Sequence, residues 1–153
     1  MTLTAILERL KELSAPDREL DAMLEVLLVQ NRVWVEDGTV IYARNAAEPY
    51  MTTRIGTIDP GVHSRHFYLS WEDGYPRYTA SIDAALGLVE RCLPGTWWLF
   101  GKGRMKPEEL LYGAQLLPEG DIDTIIGEGE AATPPLAILT ALVSALIARK
   151  EQQ

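Results

Sequence analysis

The sequence predicts an α+β fold: an α/β/α sandwich with a mostly antiparallel sheet covered by N-terminal, central and C-terminal helices. Three observations predict it. Apolar residues recur at helical spacing at both ends of the chain and once in its middle. β-branched and aromatic runs fill the segments between. Those runs are joined by tight Gly/Pro turns, which favour antiparallel neighbours over crossover connections. The 153 residues are 47% hydrophobic and 24% charged, an ordinary globular composition and a length suited to one domain spanning residues 1–153.

The first helix carries Leu3, Ile6, Leu7, Leu10 and Leu13 on one stripe. Ser14-Ala15-Pro16-Asp17 then punctuates the chain, with Pro16 suited to a first helical position and Asp17 and Glu19 to a positive helix end. The second stripe is Leu20, Met23, Leu24, Leu27 and Leu28. Two short amphipathic helices with a tight link predict a helical hairpin. Next, Val33–Glu36 and Thr39–Tyr42 flank Asp37-Gly38, the strongest short-range hairpin signal in the chain. That register puts Val33, Val35, Val40 and Tyr42 on one face, with Trp34 and Ile41 on the other.

Further strands are predicted at Met51–Thr57, His66–Trp71, Gly95–Phe100, Leu110–Leu117 and Asp123–Gly127. A third helix runs from Ile82 to Leu93, with Ser81 as N-cap and Pro94-Gly95 as its stop. A fourth runs from Pro134 to Lys150 with Thr133 as N-cap. Eleven of the thirteen residues from Leu136 to Ala148 are apolar. Such a helix is either central in the fold or part of an oligomer interface, and it motivates an expected homo-oligomer.

Charge narrows the function classes. Lys and Arg number 14 against 22 Asp and Glu, a net charge of -8, which argues against a protein that coats duplex DNA. A single cysteine excludes an internal disulfide framework and a cysteine-based zinc site. Neither a cationic leader with an apolar run nor a bilayer-length apolar segment is present, so the expectation is a soluble intracellular chain with no membrane partner.

Several stretches together resemble a known family. They are Pro16-Asp17-Arg18-Glu19-Leu20-Asp21-Ala22, Tyr78-Thr79-Ala80-Ser81-Ile82-Asp83-Ala84-Ala85-Leu86, Pro94-Gly95-Thr96-Trp97-Trp98, and Glu130-Ala131-Ala132-Thr133-Pro134 leading a Leu-rich terminal helix. They resemble the uncharacterised phage ABA-sandwich domain proteins, small accessory proteins of tailed phages and prophages. The resemblance covers about half the chain, and Pro135 departs from the family's usual single proline. It implies an α/β/α fold, a phage or prophage origin and action in the host cytoplasm. It implies no activity and no catalytic residues.

The chemistry-bearing residues do not assemble a catalytic motif. His63 and His66 sit in a segment behind Pro60-Gly61, where helical metal-ligand spacing does not apply, so no metal is expected. Cys92 lies on the apolar stripe of the third helix and reads as a packed small hydrophobe. Gly101-Lys102-Gly103 lacks the spacing and the Ser/Thr of a phosphate loop and reads as a cationic hairpin tip. No serine has a nucleophile-elbow context. The acidic pairs Glu36-Asp37, Glu72-Asp73 and Glu108-Glu109 read as solvated edges. The expectation is a protein that is not an enzyme and uses no cofactor.

The distribution of charge and rings is more informative. Residues 1–43 carry -4 and residues 107–153 carry -6, whereas residues 44–106 carry +2, both histidines and 9 of the 12 aromatic residues. Arginine forks match phosphates, and aromatic faces stack on bases and guanidinium planes. This predicts a pocket for a nucleotide-derived or other small anionic ligand, built from Arg54, Arg65, His66, Arg77, Tyr78, Trp97, Lys102 and Arg104. The corresponding role is sequestration of a signal used in host defence. Two alternatives remain: an acidic inhibitor that binds a host nucleic-acid-processing or defence complex of the anti-CRISPR or anti-restriction type, and a virion assembly accessory. Sequence-specific DNA binding is not expected.

Overall fold

The computed structural model describes residues 1–62, 65–67, 76–106 and 109–153, with residues 67, 104–106 and 109 described by backbone alone. The α+β class and the antiparallel pairing hold, and the predicted order of helices and strands is recovered. The strands do not form one sheet, however. A four-stranded and a three-stranded sheet are present, and the chain divides into two compact units. Residues 1–17 and 77–153 form a terminal unit, and residues 18–76 form an inserted unit.

In the inserted unit, helix α2 (Arg18–Leu24) runs into a π-helical turn over Glu25–Val29. The sheet follows in the order β1 (Arg32–Asp37), β2 (Val40–Asn45), β3 (Thr52–Ile58) and β4 (Arg65–Phe67). The β1–β2 turn lies one residue later than the sequence predicts. Its two central residues are Gly38 and Thr39, while Asp37 joins β1 opposite Val40. Gly38 has φ +60° and Thr39 is not in the left-handed region, so the one residue without a Cβ takes the first turn position. The face assignment survives this shift: Trp34 and Ile41 are buried on one face. Beyond Phe67, the predicted strand to Trp71 lies outside the described residues.

In the terminal unit, α1 (Leu3–Glu12) and α3 (Ile82–Cys92) pack on α4 (Pro134–Glu151), and α4 packs on a sheet of β5 (Thr96–Lys106), β6 (Glu109–Pro118) and β7 (Gly127–Ala131). The two helices of the predicted hairpin fall in different units, α1 in the terminal one and α2 in the inserted one. Asp17 closes the first segment of the terminal unit. Its N–H donates to Thr79 Oγ1 at 2.9 Å, the Thr79 hydroxyl donates to the Asp17 carbonyl at 3.2 Å, and Arg9 holds the Asp17 carboxylate at 2.6 Å.

Two further expectations are corrected here. The last strand is Gly127–Ala131, not Asp123–Gly127. The run Gly-Glu-Gly-Glu-Ala has poor intrinsic strand preference, yet its small residues alternate inward with glutamates outward, and the inward positions lie against α4. The Thr133 hydroxyl makes no cap bond and is buried without a partner. Pro134 and Pro135 occupy the first two helical positions and have no N–H to offer it.

The near-uniform apolarity of α4 is also accounted for. Residues 135–143 and Ala145 are buried, facing α1, α3, β6 and β7. Thr140 and Ser144 donate their hydroxyls to the carbonyls of Leu136 and Thr140 at 2.7 and 2.8 Å, which satisfies them inside the helix. Its apolar surface is consumed within the terminal unit, so α4 no longer motivates an oligomer. Among the described residues, no helix is long and apolar enough to cross a membrane.

Candidate functional site

Register sets the faces of the three-stranded sheet. Leu116 pairs with Gly127, Ala114 with Gly129 and Tyr112 with Ala131. In the other pair, Trp98 lies opposite Leu116, Phe100 opposite Ala114 and Lys102 opposite Tyr112. Directly opposed residues share a face. A Cβ on Gly127 or Gly129 would run into the backbone of α4, so this is the face on which α4 packs. These two glycines exist so that the helix can approach.

The opposite face carries three more glycines that packing does not explain. Gly101 lies directly across from Gly113, and Gly103 across from Leu111. A Cβ added at 101, 103 or 113 would meet nothing within 4 Å, and none of the three has positive φ. Glycine inside a strand weakens it and often marks close approach of a ligand or another backbone. A hollow of about 880 Å³ lies in the terminal unit, lined by all three strands, by Leu7 and Lys11 of α1, and by Thr140 and Ser144 of α4. With Phe100, Lys102, Tyr112 and Ala114 it takes in the face on which α4 packs, and the three glycines border it by their backbone. That volume lies within the usual span of small-molecule sites.

Leu99 and Leu111 provide apolar ground beside the glycines, with Gln115 next to them. Lys102 contributes an ammonium, and Glu128 and Glu130 contribute carboxylates; none of the three makes an ion pair among the described residues. Lys11 is engaged by Glu8 at 3.1 Å. The lining thus carries both signs of charge. It can stack or enclose a flat body, hold one anionic group, and accept hydrogen bonds from hydroxyls or amines.

The residues singled out from the sequence are not gathered into one site. Among the described residues, only Lys102 of this set lines the hollow. Trp97 is 48% exposed on the same strand, on the face opposite Lys102. Tyr78 is buried at 3% exposure, so its ring packs inside and does not meet solvent. Arg77 is exposed, and its carbonyl accepts from the N–H groups of Ala80 and Ser81 at 3.1 and 2.9 Å. The backbone of Arg104 lies in β5, and its side chain is outside the described residues.

Arg54, Arg65 and His66 belong to the inserted unit, and they divide between the two faces of its sheet. Ile58 pairs with Arg65, Gly56 with Phe67 and Ile41 with Gly56. Arg65 therefore shares the buried face with Ile41, Glu36 and Trp34. Arg54 opposite Tyr42 and His66 opposite Thr57 lie on the other face. Arg65 is committed to protein carboxylates. It donates to Glu19 at 2.7 Å and to Glu36. Trp34 Nε1 donates to the same Glu36 carboxylate at 3.1 Å. The Arg65 hydrogen bond holds Glu36 below the usual carboxylate range, against the opposing effect of burial, and Glu36 in turn raises the Arg65 guanidinium. This arginine joins β4 to Glu19 of α2 and Glu36 of β1.

Gly101, Gly103, Gly113, Glu128 and Glu130 were missed in the sequence. Gly101-Lys102-Gly103 reads locally as a turn, whereas β5 continues through it to Lys106. The available signal was the spacing of two between Gly101 and Gly103, the period of a strand face.

No protein-family model matches this chain, and neither a curated protein nor a solved structure does.

Proposed function

We propose that this is a non-catalytic binding protein that captures a small, flat, polar-edged molecule of nucleotide or nucleoside character in the hollow of its terminal unit. One observation carries the reading: the hollow of about 880 Å³ has Phe100, Lys102 and Tyr112 on one face of the sheet, beside α4. A planar body lies there against the Phe100 and Tyr112 side chains, and Lys102 receives an anionic group such as a phosphate. The sequence resemblance supports a phage or prophage setting, in which capture removes a signal from the host cytoplasm.

The test is a thermal-shift and calorimetric panel of nucleosides, mononucleotides and cyclic dinucleotides, with recovery of the ligand afterwards. The expected result is saturable binding of at least one anionic member, its return unchanged, and loss of binding in Lys102→Glu. Binding that survives Lys102→Glu, or a panel with no binder, overturns the reading.

A further inference from the structure

We infer that a second copy of this chain pairs antiparallel with the free edge of β5, centred on Leu99, so that two three-stranded sheets become one of six strands. The inference rests on the strand edge and does not require a ligand.

Among the described residues, β5 is an edge strand of eleven residues. Trp97, Trp98, Leu99 and Phe100 are 48%, 43%, 58% and 41% exposed. Both faces of the strand therefore present large apolar side chains to solvent. Natural edges are usually blunted by charge, proline or brevity. Here the charged residues of the strand, Lys102, Arg104 and Lys106, all fall in the later half of its sequence. Residues 96–100 carry no charge at all.

Hydrogen-bond parity restricts how two such edges meet. Glu119 N–H donates to the Gly95 carbonyl at 3.1 Å, so residue 95 faces β6. Alternation along an antiparallel ladder then turns the N–H and C=O of Thr96, Trp98, Phe100 and Lys102 outward. A two-fold axis at Leu99 sets Trp98 opposite the partner's Phe100 and Thr96 opposite the partner's Lys102, so outward groups meet outward groups. The side chains agree with this register. Trp98 and Phe100 already stack within one chain, with centroids 5.5 Å apart, and pairing extends that stack across the seam. Trp97 falls opposite the partner's Gly101, where an added Cβ would meet nothing within 4 Å, the arrangement in which an aromatic ring covers a strand glycine. No cation faces a cation, whereas a parallel pairing would set Lys102 against the partner's Lys102. The contact is isologous and closes on itself. It also brings the partner's Trp97 beside Gly101, on the face away from α4.

The experiment is light scattering with sedimentation on the unliganded protein, paired with hydrogen exchange. The expected mass at high micromolar concentration is twice the 17.0 kDa chain, with the Trp98 and Phe100 amides protected. Leu99→Lys sets two ammoniums on the axis and is expected to give a folded monomer in which those amides exchange freely. Thr96→Lys opposes Lys102 twice per dimer and weakens association by about tenfold, while Thr96→Glu strengthens it. A wild-type monomer at that concentration overturns the inference, as does a dimer indifferent to Leu99→Lys. Thr96 variants that shift association in the same direction overturn the register, even if Leu99→Lys fails to fold.

Discussion

A Cβ placed on Gly129 would lie 2.6 Å from the Cβ of Thr140. The third strand and the last helix of the terminal unit therefore touch through glycine, and the alternating Gly127-x-Gly129 pattern is a packing requirement. Gly129→Ala forces the helix outward and is expected to cost about 1–3 kcal/mol. A lowered denaturant midpoint with an unchanged slope would establish it; an unchanged midpoint would contradict the close approach.

Gly113 behaves in the opposite way. Its neighbourhood is open and its backbone is not in the left-handed region. Gly113→Val removes the entropic cost of a strand glycine and is expected to raise stability by about 0.5–1 kcal/mol. Opposite signs at Gly113 and Gly129, measured side by side, separate the open face of the sheet from the face packed on α4; a destabilised Gly113→Val would contradict the open neighbourhood.

The Arg65–Glu36 pair makes stability depend on pH. Glu36 is held low by its hydrogen bond from Arg65. Its contribution is fully present above the ordinary glutamate range and disappears as pH falls through the lowered folded value. The side chains are 32% and 36% exposed, so solvent limits the effect to about 0.2–1 kcal/mol. Arg65→Met should cost that much near neutrality and progressively less in acid. Denaturation midpoints of the two proteins compared across that range decide it; a constant difference would count against the pair.

Leu142 is fully buried in α4, whereas Ile122 is 70% exposed. Leu142→Ala is expected to cost about 2–5 kcal/mol, and Ile122→Ala to change stability by less than about 0.5 kcal/mol. Equal effects would show that α4 is not the core helix.

Burial pushes the Cys92 thiol up, with Arg91 opposing it only in part. Alkylation at neutral pH is expected to run roughly tenfold slower in the folded protein than in denaturant. A fast folded-state reaction would restore Cys92 as a candidate nucleophile.

Much of the fold is legible in the residues because its signals are local. Ser81 caps α3 as expected, accepting from the Ala84 N–H at 3.2 Å. Trp34 and Ile41 go inward because strand period separates them from Val33 and Val35. The misreadings share a different cause. Gly127–Ala131 has no strand preference of its own and becomes a strand because α4 needs a smooth surface there. Arg65 matches the pattern of a ligand-binding cation, but its partners Glu19 and Glu36 lie 46 and 29 residues away along the chain.

By itself, the sequence determined the α+β class, the order of the elements and the segment that becomes the central helix, since periodicity and turn chemistry act over a few residues. Tertiary structure decided that the strands separate into two sheets, that Tyr78 and Arg65 serve the protein's own interior and ion pairs, and that sheet, α1 and α4 border a hollow. Those outcomes depend on which distant surfaces meet, and a glycine reads the same whether a helix or a vacant space stands above it.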